Sequence, residues 1–441
     1  MPNIINKKHQ PIRGFRYLSS RESTIYQFIQ CLYFQVAVEH FNMKIIVPPL
    51  LAPAHLFTSL GQNSDIVRKE LYSFIQKDGE EVALVPELTR VIVEQLAHEK
   101  IYSGSYVCFG QCFRYERPQK GRYRSFTQGS VELFGTKSYM KDIELFLFIK
   151  QFFHKLYIDD AVLHLNFIGT LEDRARYIEA LKTYFTNLIL WNKLSNNSKE
   201  KFERGAFLRM LDSKNEDDLV YIKEAPRIYD YLSIESQNRY NTIKRLLDSA
   251  NITYVENPFL VRGLDYYNDI VFEYTHHLLG AQSSLCGGGR YDGLFKEVAK
   301  VDVPAVGAGF GIDRIMLVLE EKMSTNPLLE LECFGASTIV NIIPIEETDK
   351  EYVMKIGEEF RKQLPQYGSY HRSKKINILW EGKVSHRMKK SAEEASYVII
   401  VGETERKENI LKVKDMNRGI TLKLEREKIL NFEEYFTRYN V

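Results

Sequence analysis

Cysteine is scarce in this chain. Five thiols in 441 residues, Cys31, Cys108, Cys112, Cys286 and Cys333, are too few and too scattered for a disulfide scaffold. Cys108 and Cys112 also lack the C-x-x-C spacing of a redox or zinc site, so all five read as reduced core thiols. No apolar run approaches the roughly 18 residues that a membrane-spanning helix needs. Met1–Gln10 carries charge but no apolar stretch of a secretion signal. A soluble, cytoplasmic chain with no membrane partner is expected. Charge of one sign is missing too: the formal net charge is +2, which alone points to no acidic partner. No internal repeat or low-complexity tract is present.

Several common nucleotide and metal motifs are absent as well. Gly307-x-Gly309-x-Gly311 follows a strand-like run and opens a helix-like one, but Ile312 stands where a dinucleotide fingerprint needs its third glycine. Gly382-Lys383 is followed by Val384, so there is no Walker A loop. His98-Glu99 has no second histidine at metalloprotease spacing, His276-His277 reads as loop chemistry rather than a ligand pair, and no metal ligand set emerges from ten dispersed histidines.

What is present is ordered. At 44% hydrophobic and 27% charged the composition is globular, and the length predicts two or three domains. Ile25, Phe28, Ile29, Leu32 and Val36 recur at helical spacing behind a Ser19/Glu22 capping box, so a helix running to about Asn42 is expected. Lys44–Leu51 reads as extended, but Pro48 and Pro49 confine it to an edge or to a surface that meets another chain. Between residues 104 and 135, two alternating runs flank a polar loop with Pro118 and Gly121, predicting a long antiparallel hairpin. Val107, Phe109, Phe113 and Tyr115 share one face of it, leaving Arg114 and Glu116 on the other. On the return strand Val131 and Leu133 take the apolar parity, opposite Phe126, Gln128, Glu132 and Phe134. If the apolar faces coincide, charged groups and a planar ring gather on one sheet surface.

Residues 171–250 turn charged and helix-patterned, which predicts a helical insertion. Strand-like runs return at Val255–Val261, Ile270–Tyr274 and Val306–Phe310. After a linker near Met323–Gly335, strand and helix patterns alternate over Ile339–Ile345, Tyr352–Leu364, Ile376–Trp380, His386–Ala395 and Val398–Val401, predicting a small α/β domain with a mostly parallel sheet. Two basic stretches stand out. Arg114–Arg124 has five Lys/Arg against Glu116, and His371–Lys390 has seven against Glu381. Taken alone each is a solvated face; together with a polar sheet surface each can meet phosphates.

A surface offering guanidinium forks, carboxylates and a ring suits a nucleotide plus a small zwitterion. Further arginines for it are available at Arg262, in Val261–Tyr267, and at Arg314, in the first turn of a helix where a cation opposes the helix dipole. Arg114–Arg124 resembles the motif 2 loop of class II aminoacyl-tRNA synthetases in the form found in the histidyl-tRNA synthetase family. Arg262–Tyr267 and Gly288–Gly293 are similar to that family's two histidine signatures, Pro48 to the motif 1 proline, Gly311–Arg314 to the motif 3 arginine, and Asp212–Asn215 to part of its helical insert.

The resemblance implies an α+β fold, with an antiparallel-sheet catalytic domain over residues 1–325, interrupted by the helical insertion at about 171–250, and an α/β anticodon-binding domain over 336–441. It implies a homodimeric ligase that joins L-histidine to tRNA(His) at the expense of ATP, with Mg²⁺. By resemblance Arg114 and Arg262 are the catalytic pair at the α-phosphate, Arg122 meets the outer phosphates, Phe126 and Arg314 hold the adenine between them, and Glu116 accepts from its amino group. Glu87, Thr89 and Gln128 match positions that hold the α-amino group, and Glu132, Tyr266, Tyr267 and Tyr291 those of the histidine pocket. Lys383, Arg387, Lys389 and Lys390 are the implied tRNA-backbone contacts. Two departures from the family pattern, Val85 and Leu88 around Glu87 and Thr127 beside Gln128, fall next to these positions; strand parity puts Thr127 on the core side. A histidine-sensing regulatory paralogue or a tRNA-independent amino-acid ligase would need fewer of these parts.

Overall fold

In the computed structural model, which describes residues 10–58, 69–213, 215–264, 266–334, 338–362 and 375–437, the Ser19 hydroxyl accepts from the Glu22 N–H and the Glu22 carboxylate from the Ser19 N–H. This capping box starts the helix Ser20–Gln35, whose stripe of Ile25, Phe28, Ile29 and Leu32 is buried. A π-helical turn, Val36–His40, prolongs it until Asn42 takes a positive φ of 50°.

The chain divides into two compact units, residues 1–325 and 326–441. The strands of the first are β1 (Lys44–Ile45), β2 (Leu51–Pro53), β3 (Ser73–Ile75), β4 (Glu81–Leu84), β5 (Gly104–Phe113), β6 (Ser125–Phe134), β7 (Val162–Gly169), β8 (Val255–Glu256), β9 (Asn268–Thr275), β10 (Ser284–Arg290) and β11 (Ala305–Gly311). Eight of them form one sheet in the order β1-β5-β6-β11-β10-β9-β7-β8, antiparallel except at its two ends. In the β5–β6 hairpin Val107 pairs with Val131 and Cys112 with Phe126, so the two apolar faces do coincide. That face is covered by the helices Ser20–Gln35 and Tyr139–Lys155. The buried Tyr33 ring lies within 6 Å of Phe109, Phe148, Phe152 and Phe310, and its hydroxyl donates to the Ser130 carbonyl at 2.6 Å. Tyr115 departs from its expected parity. It lies past the end of β5, exposed, with the Arg124 guanidinium 3.6 Å above its ring centre.

Between β7 and β8 the chain is helical, from Leu171–Phe185 to Ile234–Ser249. Two carboxylates buried at its core hold it together: Asp173 accepts from one serine hydroxyl and two backbone N–H groups, and Asp218 from three serine hydroxyls and one backbone N–H. The strand expected over Val255–Val261 stops at Glu256. Asn257 folds back to the Leu165 carbonyl, and the Asn166 amide donates to the carbonyls of Pro258 and Leu260, so these carbonyls bond a side chain instead of a sheet ladder.

The stretch expected to be a linker, 323–335, contains the helix Pro327–Phe334. Asn326 accepts from the N–H groups of Leu328 and Leu329, and proline suits the first helical position. In the second unit β12 (Ile339–Pro344), β13 (Lys375–Ile378), β14 (Tyr397–Val401), β15 (Ile410–Asp415) and β16 (Thr421–Glu425) order as β13-β12-β14-β15-β16. The helices Lys350–Lys362 and Val384–Glu394 connect the parallel strands, and the end of the first expected helix, Leu364, lies outside the described residues. Only β12, β13 and β14 are parallel; β15 and β16 add an antiparallel hairpin, which the expectation of a mostly parallel sheet missed.

Candidate active site

The sheet face opposite the aromatic core floors a cleft of about 190 Å³, open to solvent on one side. Spacing of two puts Gly307, Gly309 and Gly311 of β11 on this face, paired with Glu132, Ser130 and Gln128 of β6. The glycine run is therefore a floor with no side chains. A Cβ at Gly307 would stand 2.1 Å from a Glu132 carboxylate oxygen, and one at Gly287 of β10 would stand 2.3 Å from the Arg262 guanidinium.

Four arginines from three distant stretches line one end: Arg114 and Arg122 from the hairpin, Arg262 from the loop after β8, and Arg314 from the helix Ile312–Met323. Each is held by a carbonyl or carboxylate. Arg114 donates to the Pro86 carbonyl at 2.8 Å and sits 5.1 Å from the Phe126 ring centre; Arg262 donates to Glu273 at 3.1 Å. Arg314 donates to the carbonyls of Gly121 and Ser284, both at 2.9 Å. Arg122 pairs with Glu116 and, at 3.6 Å, with Glu70. Burial holds the Arg314 pKa below its usual value, and Arg122 and Arg114 push the same way against the attraction of Glu116 and Glu273. Such a cluster of partly desolvated, mutually repelling cations is a site for a polyanion.

The other end is buried. Glu132 is fully enclosed and accepts from the hydroxyls of Thr89, at 2.7 Å, Ser130 and Tyr291. Loss of solvent pushes its carboxyl up to about 7 despite those donors. Glu87 caps the helix Leu88–His98 by accepting from the N–H groups of Thr89 and Arg90, and burial raises its pKa as well. Tyr267 and Tyr291 close the walls: the Tyr266 ring centre lies 4.6 Å from that of Tyr267 and 5.6 Å from that of Tyr291.

Glu87, Thr89, Arg114, Glu116, Arg122, Phe126, Gln128, Arg262, Tyr266, Tyr267 and Arg314 therefore line one cleft, with Glu132 and Tyr291 bonded to each other beneath it. The Thr127 side chain points away, accepting from Gln111, and Val85 and Leu88 are packed inside. Sequence reasoning missed Glu273, Gly287 and Asp313. The Asp313 carboxylate accepts from Arg16 at 2.7 Å and from the Thr127 N–H at 2.8 Å, tying the arginine helix to β6. Its position beside Arg314 was the one available signal.

Among the described residues, Asp160, His276 and His277 also lie close enough to hold a metal ion. Asp160 and His276 already have partners within the protein. Nδ1 of His276 accepts from the Leu278 N–H, which keeps the neutral ring's proton on Nε2 facing Asp160, and Lys322 neutralises that carboxylate at 2.6 Å.

In the second unit Lys383, Lys389 and Lys390 are exposed on or beside the helix Val384–Glu394. Arg387 does not share their surface: it is buried, and its guanidinium donates to the Leu379 carbonyl at 2.9 Å, fixing the loop ahead of the helix. His371–Lys374 of the same basic stretch lie outside the described residues.

The family model for histidyl-tRNA synthetase matches residues 43–315. A histidine–tRNA ligase from Fervidobacterium nodosum is 37% identical over 430 residues, covering 96% of this chain and 97% of that protein. The chain belongs to the histidyl-tRNA synthetase family. A second relative, the histidine–tRNA ligase of Thermotoga petrophila, is 33% identical over 96% of this chain and 98% of its own length. Among solved structures, the apo histidyl-tRNA synthetase of S. aureus shares the fold with a TM-score of 0.76, at 24% identity, covering 96% of this chain and 99% of that one.

Proposed function

We propose that the cleft activates L-histidine with ATP and passes the histidyl group to the terminal ribose of its tRNA. The histidine carboxylate attacks the α-phosphorus; the new O–P bond forms as the bond to pyrophosphate breaks. The acyl group then moves from AMP to a ribose hydroxyl. Neither step needs a covalent enzyme intermediate, so alignment and charge neutralisation carry the catalysis.

The observation that carries this reading is the polarity of the cleft: four guanidinium groups at one end and a buried, hydrogen-bonded carboxylate at the other. In this reading Arg114 and Arg262 neutralise the α-phosphate, Arg122 leaves Glu116 to meet the outer phosphates, and Phe126 and Arg314 stack on the adenine. Glu116 accepts from the adenine amino group. Glu87, Thr89 and Gln128 take the α-ammonium. Glu132, once ionised, accepts from an imidazole N–H, and Tyr291 and Tyr267 complete a polar wall that rejects side chains unable to match it. Mg²⁺ enters with ATP, held by the phosphates.

For tRNA, Lys383, Lys389 and Lys390 supply backbone contacts. The half-exposed Trp380, beside Arg361, Asn377 and Lys390 around a shallow hollow of about 550 Å³, suits an unstacked base. The exposed apolar residues Ile45, Val47, Leu50 and Leu51, on β1 and the run leading from it into β2, support a homodimer. Residues 1–325 and 336–441 then act as catalytic and anticodon-binding domains in the cytoplasm. The decisive experiment is pyrophosphate exchange into ATP with each of the twenty amino acids: histidine alone should support it. Exchange with a different amino acid, or with none, overturns the reading.

A further inference from the structure

From Val261 to Tyr267 the described residues lie in neither helix nor strand, yet this loop carries Arg262 and Tyr267, one group from each end of the cleft. Two guanidinium groups of the helical insert reach its carbonyls. Arg209, in the short helix Phe207–Met210, donates to the Gly263 carbonyl at 2.8 Å; Arg174, in Leu171–Phe185, donates to the Tyr267 carbonyl at 2.8 Å. The bonds grip the residue directly after Arg262 and the backbone of Tyr267 itself. Around them the insert does not close on the loop: a void of about 220 Å³ separates the two, lined by Ile178, Phe207, Leu208 and Leu264 with the two arginines. The two bonds thus tie the insert to the loop beside this cavity.

Resting on the reading above, we propose that Arg174 and Arg209 are positioning residues: they set the register of the Arg262–Tyr267 loop, so that the helical insert governs formation of the adenylate. Charged donors to carbonyls make directional bonds that fix a loop within the tolerance an in-line attack requires. Since both hooks rise from the insert, any shift of the insert moves Arg262 relative to the α-phosphate. The adenine groups Phe126 and Arg314 stand on β6 and on the helix Ile312–Met323, outside the grip of either hook.

The test is steady-state histidine-dependent pyrophosphate exchange by the full chain carrying Arg174→Ala, Arg209→Ala or the corresponding lysines. Arg209→Ala should act mainly by lowering kcat, and Arg174→Ala should lower kcat and also raise the KM for histidine, each by about tenfold or more in kcat/KM, while the KM for ATP stays within twofold. Lysine, a single-point donor, should recover part of the loss. Arg209→Ala placed in an Arg262→Ala background should cost little further, because its effect runs through Arg262. Arg176→Ala, whose side chain bonds Asp173 and the Tyr231 carbonyl within the insert, should exchange like wild type. Unchanged kinetics in the alanine variants, parallel rises in both KM values, or additive losses in the double variant would overturn the proposal. Absence of exchange in the wild type would instead overturn the function on which it rests. Should the alanine variants fail to fold, the lysine variants carry the same KM split.

Discussion

The two ends of the cleft are built on opposite principles. The arginine end is cationic, partly solvated and held by scattered carbonyls, with side chains whose charges oppose one another. The carboxylate end is dry, and its hydroxyls already point at Glu132. One end holds a charge excess that a triphosphate relieves; the other is a prearranged hydrogen-bond set that selects a side chain by shape and polarity. Rate should therefore be concentrated at the first and discrimination at the second.

Removing Arg262 breaks the contrast most sharply. Arg262→Ala should lower adenylate formation by about 10²–10³-fold, with histidine affinity in equilibrium binding changed far less. Equal losses would make Arg262 a structural residue. At the other end, Glu132→Gln should cost about 10–100-fold in kcat/KM for histidine, expressed mainly in KM, and should narrow the margin over other amino acids in the exchange screen. The same variant sharpens the comparison through stability. Folding raises the Glu132 pKa from 4.5 to about 7, so the folded chain binds that proton more tightly than the unfolded chain. Its contribution to stability is complete below pH 4.5 and falls as pH rises towards 7, by an amount on the order of 3 kcal/mol. Urea unfolding of the ligand-free chain should show a shallower loss between those pH values in Glu132→Gln. Asp269, held up to about 7 chiefly by burial, keeps a slope of its own. A smaller effect is expected from Gly287→Ala, which pushes against the movable end of Arg262: about tenfold in exchange, with an unchanged unfolding midpoint, checked by kinetics and thermal melts.

The same contrast explains what could be read from the chain. The β5–β6 hairpin was legible because alternation at period two is a local signal, and it placed Arg114, Glu116, Phe126, Gln128 and Glu132 on one surface correctly. Strand β10 was not: Ser284–Arg290 contains three glycines and was not among the strand-like runs, since the reason for Gly287 is a guanidinium arriving from a loop 25 positions earlier. The apolar run Phe259-Leu260-Val261 imitates a strand, but Pro258 precedes it and Asn166 takes the carbonyls of Pro258 and Leu260. Arg387 sits in a basic run that suggests a solvated face, and only the carbonyl of Leu379, brought close by the turn before the helix, shows that it points inward. Local patterns thus marked the residues that share a surface; the partners that hold them came from distant chain.

A crystal structure of the full chain with a non-hydrolysable histidyl-adenylate analogue tests the central claim most directly. The account predicts the phosphate mimic between Arg114 and Arg262, adenine between Phe126 and Arg314, and the imidazole against Glu132 and Tyr291. An analogue bound in the reverse sense, or outside this cleft, would contradict it.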